Sequence, residues 1–241
     1  MKKMKLHKFL ANMGIDSRRK CEKLIVQGRV KVNGTQITKL GMEINPDVDR
    51  ILVDNKVVEQ NVQRVHVLLN KPSGYLCTYH DPFGRPTIYD LLQGIETKLN
   101  YAGRLDLDSE GLILLTNDGA LIHQITHPRQ KIKKTYQVKV RGAPGANDLK
   151  LLQEGIPLST NFTTSPCQVK IIKQNNYYSL LEISIHEGKK RQIRRMFSFL
   201  GYQVLELKRT KIGILNMDGL PCGKYRYLTE REVRKIKNFR K

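Results

Sequence analysis

An α+β chain of two domains is the architecture this sequence predicts, and three observations predict it. Two short helical patterns in the first sixty residues run into a hairpin signal. From Val65 onward, apolar or alternating runs of strand length are interleaved with amphipathic helical stretches. Between them, residues 55–64 are polar and mixed, which is how a linker reads. The domains are therefore drawn at 1–60 and 61–241.

In the first domain, Leu6, Phe9 and Leu10 recur at helical spacing and Gly14 can close that helix. Asp16 or Ser17 can cap a second helix, with Gly28 just past its end. Its first turn is Arg18-Arg19-Lys20, three cations where the helix dipole favours anions. A phosphate would relieve them; plain solvation is the alternative. Arg29 to Val32, the Asn33-Gly34 turn and a run around Ile37 read as a hairpin, and Ile51 to Val53 as a further strand. This order, with the stretch SRRKCEKLIVQGRVKVNG, resembles the small S-four-type RNA-binding module first known from a ribosomal small-subunit protein. The resemblance covers residues 5 to 53 and implies RNA contact through Lys5, Lys8, Arg18, Arg19, Lys20 and Arg29.

In the second domain, the apolar run Val65 to Leu69 ends at Lys71-Pro72, where proline stops the strand. Ser73-Gly74 turns the chain and Tyr75 to Thr78 is expected to return as a strand. His80 to Pro86 is a loop. Its Arg85 can reach a phosphate or base, or serve as an ordinary surface arginine. Thr87 can cap a short helix through Leu91 and Leu92. A charged turn, Arg104 to Glu110, then leads into the buried strand Leu112 to Leu115, and Asp118-Gly119 opens a helix containing Ile122 and Ile125. Asp106, Asp108 and Glu110 alternate, but no histidine or further carboxylate completes a metal set. His123 and His127 lack a third ligand, so no metal site is expected.

Tyr136 shares a strand face with Val138 and Val140, the position of a packing residue. Asp148 to Gln153 suggests a helix closed by Gly155, and Val169 to Ile172 pairs with Tyr178 to Ile185 around Asn175-Asn176. Ile193, Met196, Phe197 and Leu200 form one apolar helical face closed by Gly201. On that helix Lys190 would repel Arg194, and Arg191 would repel Arg195, a tension that an RNA backbone relieves. Lys208-Arg209-Thr210-Lys211 adds to the patch. Thr229 and Glu232 form a capping box for a last helix, and Arg240-Lys241 is expected to fray.

The net charge is +21, distributed as +6 over residues 1–60, −1 over 61–130 and +16 over 131–241. A near-neutral centre between basic flanks points to a polyanion. No apolar run approaches the roughly 18 residues of a membrane span, and Met1 to Lys5 lacks the apolar segment of a signal peptide. Four cysteines without CxxC spacing suggest reduced thiols in a cytosolic protein.

Three stretches, AGRLDLDSEGLILLTNDG, KKTYQVKV and EGKKRQIRRMFSFLGYQVLELKR, resemble the motifs of pseudouridine synthases. The match is to the bacterial ribosomal RNA branch, the RsuA/RluB family, and the loop DPFGRPTIYDLL looks more like the large-subunit (RluB-type) members. A complete motif set replaces the plain reading of the acidic turn as a solvated loop. The resemblance implies a catalytic domain with a mixed, mostly antiparallel sheet and isomerisation of a uridine to pseudouridine. It implies Asp106 as the catalytic carboxylate, Tyr136 stacking on the target base and Arg194 pairing with Asp106. Arg85, Arg104, Lys190, Arg191, Arg195, Lys208 and Arg209 are further expected RNA contacts. The isomerisation needs no cofactor. The expected partner is ribosomal RNA of the large subunit, bound by a cytoplasmic monomer. The alternatives are a small-subunit RNA target, a non-catalytic ribosome assembly factor, and a metal-dependent nuclease using Asp106, Asp108 and Glu110.

Overall fold

The computed structural model describes residues 3–59 and 63–239. They fall into two compact units, one reaching Val65 and including Asn117–Gly119, the other formed by His66–Thr116 and the chain from Ala120 onward.

In the first unit, α1 (Leu6–Asn12) and α2 (Arg18–Val26) are followed by β1 (Val30–Val32), β2 (Thr35–Ile37), β3 (Ile51–Val53) and β4 (Lys56–Val57). Ser17 caps α2, accepting from the Lys20 amide at 3.4 Å. Asn33 and Gly34 both take positive φ, at 50° and 85°, the backbone of a tight hairpin turn. Leu6, Phe9, Leu10, Cys21, Ile25, Val30, Ile44 and Ile51 form the core. The expected linker begins instead as a strand. Asp54 and Asn55 have φ of 50° and 63°, so their polar character marks a second hairpin turn, and Val57 and Lys56 pair with Leu52 and Val53. Residues 60–62 of that stretch, like Arg240 and Lys241, lie outside the described residues.

The second unit is organised by β5 (His66–Lys71), β6 (Asn100–Ala102), β7 (Glu110–Thr116), β8 (Lys134–Arg141), β9 (Gln168–Gln174), β10 (Tyr178–Ile185), β11 (Val204–Ile212), β12 (Leu215–Asn216) and β13 (Tyr225–Tyr227). Among the described residues these form one nine-stranded sheet, ordered β9-β10-β8-β11-β7-β5-β13, with β6 on β7 and β12 on β11. Every pairing is antiparallel except β7 with β11. The sheet is therefore mixed and mostly antiparallel. The helices are α3 (Gly119–Thr126), α4 (Ala146–Glu154), α5 (Gln192–Phe199) and α6 (Glu230–Lys237). Thr229 and Glu232 cap α6 reciprocally.

Two apolar clusters fill this unit. Val138, Val140, Leu152, Leu181, Ile183, Met196 and Phe197 surround β8 and α5. Leu68, Leu112, Leu114, Leu121, Ile125 and Ile236 surround β7. Tyr75 to Thr78 does not form the expected strand. It makes only an isolated bridge, Leu76 with Thr87, because the Leu76 amide is taken by Pro86 O and its carbonyl by the Ile88 amide.

Candidate active site

The acidic turn is held from below by a buried cation. Lys71, wholly out of solvent at the end of β5, donates through Nζ to Ser109 O at 2.7 Å, Pro72 O at 2.9 Å and, more weakly, Leu107 O at 3.4 Å. Burial pushes its ammonium pKa down, while nearby groups including Glu110, Asp108 and Asp106 oppose that shift. The Ser109 amide bonds Asp106 O at 3.1 Å and closes the turn. Gly74 N donates to Leu107 O at 2.8 Å, and Leu105 N to Cys77 Sγ at 3.5 Å, so both flanks of Asp106 are tied to residues 74–77.

Because this is a turn and not an extended segment, its carboxylates have different surroundings. Asp108 takes the arginines. Arg191 donates to Oδ1 and Oδ2 at 3.2 Å each. Arg194 donates to the Asp108 carbonyl at 2.8 Å and lies 3.3 Å from Oδ2. Partial burial works against the Asp108 carboxylate, but Arg191 and Arg194 outweigh it and hold its pKa below the usual range. The pairing of Arg194 with Asp106 expected from the sequence is therefore corrected: its partner is Asp108. Among the described residues no ion pair reaches the Asp106 carboxylate. Asp106 instead lines a cavity of about 330 Å³ with Arg104, Tyr136, Lys189, Lys190 and Leu207. That volume lies at the lower end for a ligand cleft.

Tyr136 faces the same cavity from β8, 8% exposed. Its hydroxyl accepts from Arg209 at 3.4 Å, and the guanidinium lies 6.0 Å from its ring centre. Arg209 is 4% exposed and donates Nε to Leu112 O at 2.6 Å. This corrects its expected RNA contact: alternation along β11 turns Arg209 into the sheet's packed side. Gly111, its parallel partner, has φ of 103°, and an added Cβ would lie 2.2 Å from Arg209 O. Only glycine fits there.

A model of the RNA pseudouridylate synthase family matches residues 65–199, and one of the S4 domain matches residues 4–49. The chain belongs to the RNA pseudouridylate synthase family. It is 40% identical over 237 residues to an uncharacterized RNA pseudouridine synthase of Aquifex aeolicus, covering 98% of this chain and 94% of that one. It is 40% identical over 235 residues to the ribosomal large subunit pseudouridine synthase B of Bacillus subtilis, covering 97% and 95%. A crystal structure of a pseudouridylate synthase superposes with a TM-score of 0.70 at 34% identity, covering 97% of this chain and 99% of that one.

Within this synthase the remaining basic residues divide by partner. Arg18 and Arg19 are exposed, and Lys8 is half-buried. Lys5 bonds Gly41 O at 2.9 Å and Glu43 at 3.0 Å, and Lys20 pairs with Asp16 at 3.3 Å. Arg29 pairs with Asp54 at 2.7 Å through Nε, Arg85 with Asp81 at 2.7 Å, and Arg195 with Leu158 O at 2.6 Å. Lys190 and Arg191 precede α5 instead of lying on it; Arg191 is its N-cap, in a left-handed conformation at φ 50°. The expected helical repulsion of Lys190 with Arg194 and Arg191 with Arg195 is thereby removed. Lys208 is half-buried on β11. The rings of His123 and His127 lie 4.5 Å apart, and among the described residues no three metal-ligating side chains cluster. Sequence reasoning missed Lys71. Its only local sign was a lysine at the end of a strand whose middle, Val67 to Leu69, is apolar.

Proposed function

We propose that this synthase isomerises one uridine of large-subunit ribosomal RNA, as a cytoplasmic monomer. The observation that carries this reading is an Asp106 carboxylate that has no ion pair among the described residues and lies beside Tyr136 in a cavity, with Arg191 and Arg194 engaged by Asp108. The likeness to the Bacillus subtilis large-subunit enzyme along nearly the whole chain supports the choice of RNA. In the reaction the N1–C1′ bond breaks, the base turns, and C5 bonds C1′. The C5 proton is lost and N1 gains one, so the step balances without redox change or added group.

In this reading Asp106 acts at the sugar by one of two routes. Its oxygen attacks C1′ as the base leaves, or it assists loss of the C2′ proton towards a glycal. Lys71, Arg191 and Arg194 fix the turn that presents Asp106, through Ser109 O and Asp108. Tyr136 stacks on the base, and Arg209 holds the tyrosine from behind. The uridine must leave its stack to reach the cavity, at an expense of a few kcal/mol in a duplex. Basic surface contacts to the backbone offset it.

The test is to map pseudouridine in both ribosomal RNAs from cells carrying wild-type or Asp106→Asn protein, by carbodiimide adducts and primer-extension stops. One stop lost in the large-subunit RNA is expected. A loss in the small-subunit RNA would move the target, and no loss with the protein expressed would favour a non-catalytic assembly role.

A further inference from the structure

Phe83 is 80% exposed, yet the loop that carries it is closely tied. The Asp81 carboxylate accepts the amides of Phe83 and Arg85, each at 3.1 Å, and the Arg85 guanidinium at 3.1 and 2.7 Å. Gly84 N donates to Asp81 O at 3.2 Å. The two arms of the loop are joined by stacking of Tyr79 on Tyr89, with centroids 4.3 Å apart, and by the Leu76–Pro86 hydrogen bond at 2.9 Å. None of these bonds uses the phenyl ring. The loop keeps its shape while holding an apolar ring in water, which points to an external partner for the ring.

Three features identify the partner. The Arg85 guanidinium lies 5.4 Å from the Phe83 ring centre, so one face is covered by a cation already fixed by Asp81. The opposite face is available to a flat π system. The chain has a net charge of +21, which favours a polyanion over a typical protein surface. The loop is also connected to the acidic turn: residues 74–77 bond Leu105 and Leu107 on either side of Asp106, and Leu76 bonds Pro86 and Ile88.

We propose that Phe83 is a base-stacking residue whose open face receives an unpaired nucleobase of the substrate RNA close to the uridine at Asp106. This rests on the reading of the chain as an RNA-modifying enzyme. Arg85 then acts as backing for the ring and not as a phosphate clamp, which refines its expected role. A stacked neighbour would hold the RNA open while the uridine is out of its helix. Stacking tolerates any base, so the contact adds grip and positioning and leaves sequence choice to other groups.

The experiment places a photoreactive benzoylphenylalanine at position 83 of the full chain and irradiates it with a large-subunit ribosomal RNA transcript and, separately, with precursor ribosomal particles. In parallel, pseudouridine formation and RNA affinity are measured for Phe83→Leu and Phe83→Trp. The expected results are a cross-link to RNA in both samples and a loss of about five- to a hundredfold in affinity for Phe83→Leu. Phe83→Trp restores it, because leucine keeps the apolar bulk but not the π face. Cross-links to ribosomal proteins alone, or wild-type affinity in Phe83→Leu, would overturn the proposal. If the wild-type chain modifies no uridine, the functional reading fails, while the cross-link and affinity still decide the role of Phe83.

Discussion

Arg18 and Arg19 stand in water at the first turn of α2, whereas Lys71 and Arg209 of the other unit are almost wholly removed from it. Composition groups all four in one basic surface; their surroundings separate them. The first turn of α2 holds no acidic residue, so its arginines oppose the positive end of their own helix. An anion from outside relieves that. Lys71 and Arg209 instead donate to main-chain carbonyls, of Ser109 and Pro72 in one case and Leu112 in the other. A carbonyl carries only partial charge, so these cations stiffen the site and leave positive potential beneath it. Positive charge in this molecule thus has two settings, open to solvent and tied to buried main-chain carbonyls, and burial distinguishes them.

The largest expected effect lies at the turn that the framework supports. Asp106→Asn should lower turnover by on the order of 10⁴-fold with the fold intact, while Asp108→Asn should lose far less, since it loosens Arg191 and Arg194 without removing the reacting group. Equal losses in single-turnover assays would erase the distinction between the two carboxylates. Lys71→Met should destabilise the chain by about 3 kcal/mol, because buried carbonyls lose their donor. A shift below about 1 kcal/mol in urea unfolding would show that Lys71 is not framework.

Docking charge should behave differently. Arg18→Gln with Arg19→Gln should leave turnover at saturating RNA unchanged and flatten the salt dependence of RNA affinity, by about 0.9 in log–log slope per lost phosphate contact. Arg209→Met should not change that slope. The smallest effect concerns a cation that is neither bare nor buried. Arg85 is half-exposed, and its hydrogen bonds hold the Asp81 carboxyl at about 2. This folded value is depressed, so the contribution of the pair to stability is full above the ordinary aspartate range and is lost as pH falls through about 2. The Asp81 carboxyl carbon, followed by NMR, should titrate there; a midpoint near 4 would show the loop to be loose.

Local signals in the sequence were reliable where neighbours in the chain decide the structure. The Ser17 cap, the Asn33-Gly34 turn, the buried run Leu112–Leu115 and the Thr229–Glu232 box all appear as read. The turn at Asp54-Asn55 was hidden in a polar stretch. Lys71 was unreadable because its acceptors are backbone carbonyls, two of them more than thirty residues along the chain, and no side-chain pattern marks them. The motif resemblance brought Asp106, Tyr136 and Arg194 together and named the family. It assigned Arg194 to Asp106, whereas Arg194 holds Asp108, because a closed turn, not an extended strand, sets the directions of the two aspartates.

The parallel pairing of Glu110 and Gly111 with Lys208 and Arg209 joins positions about a hundred residues apart. It also has a temporal meaning. As the chain leaves the ribosome, Asp106 emerges long before the strand that carries Arg209. Until β11 slides in beside Gly111, Tyr136 has no arginine behind it and the floor of the cavity is unfinished. The cavity beside Asp106 is thus closed by a contact of long sequence separation, which forms only after both strands exist.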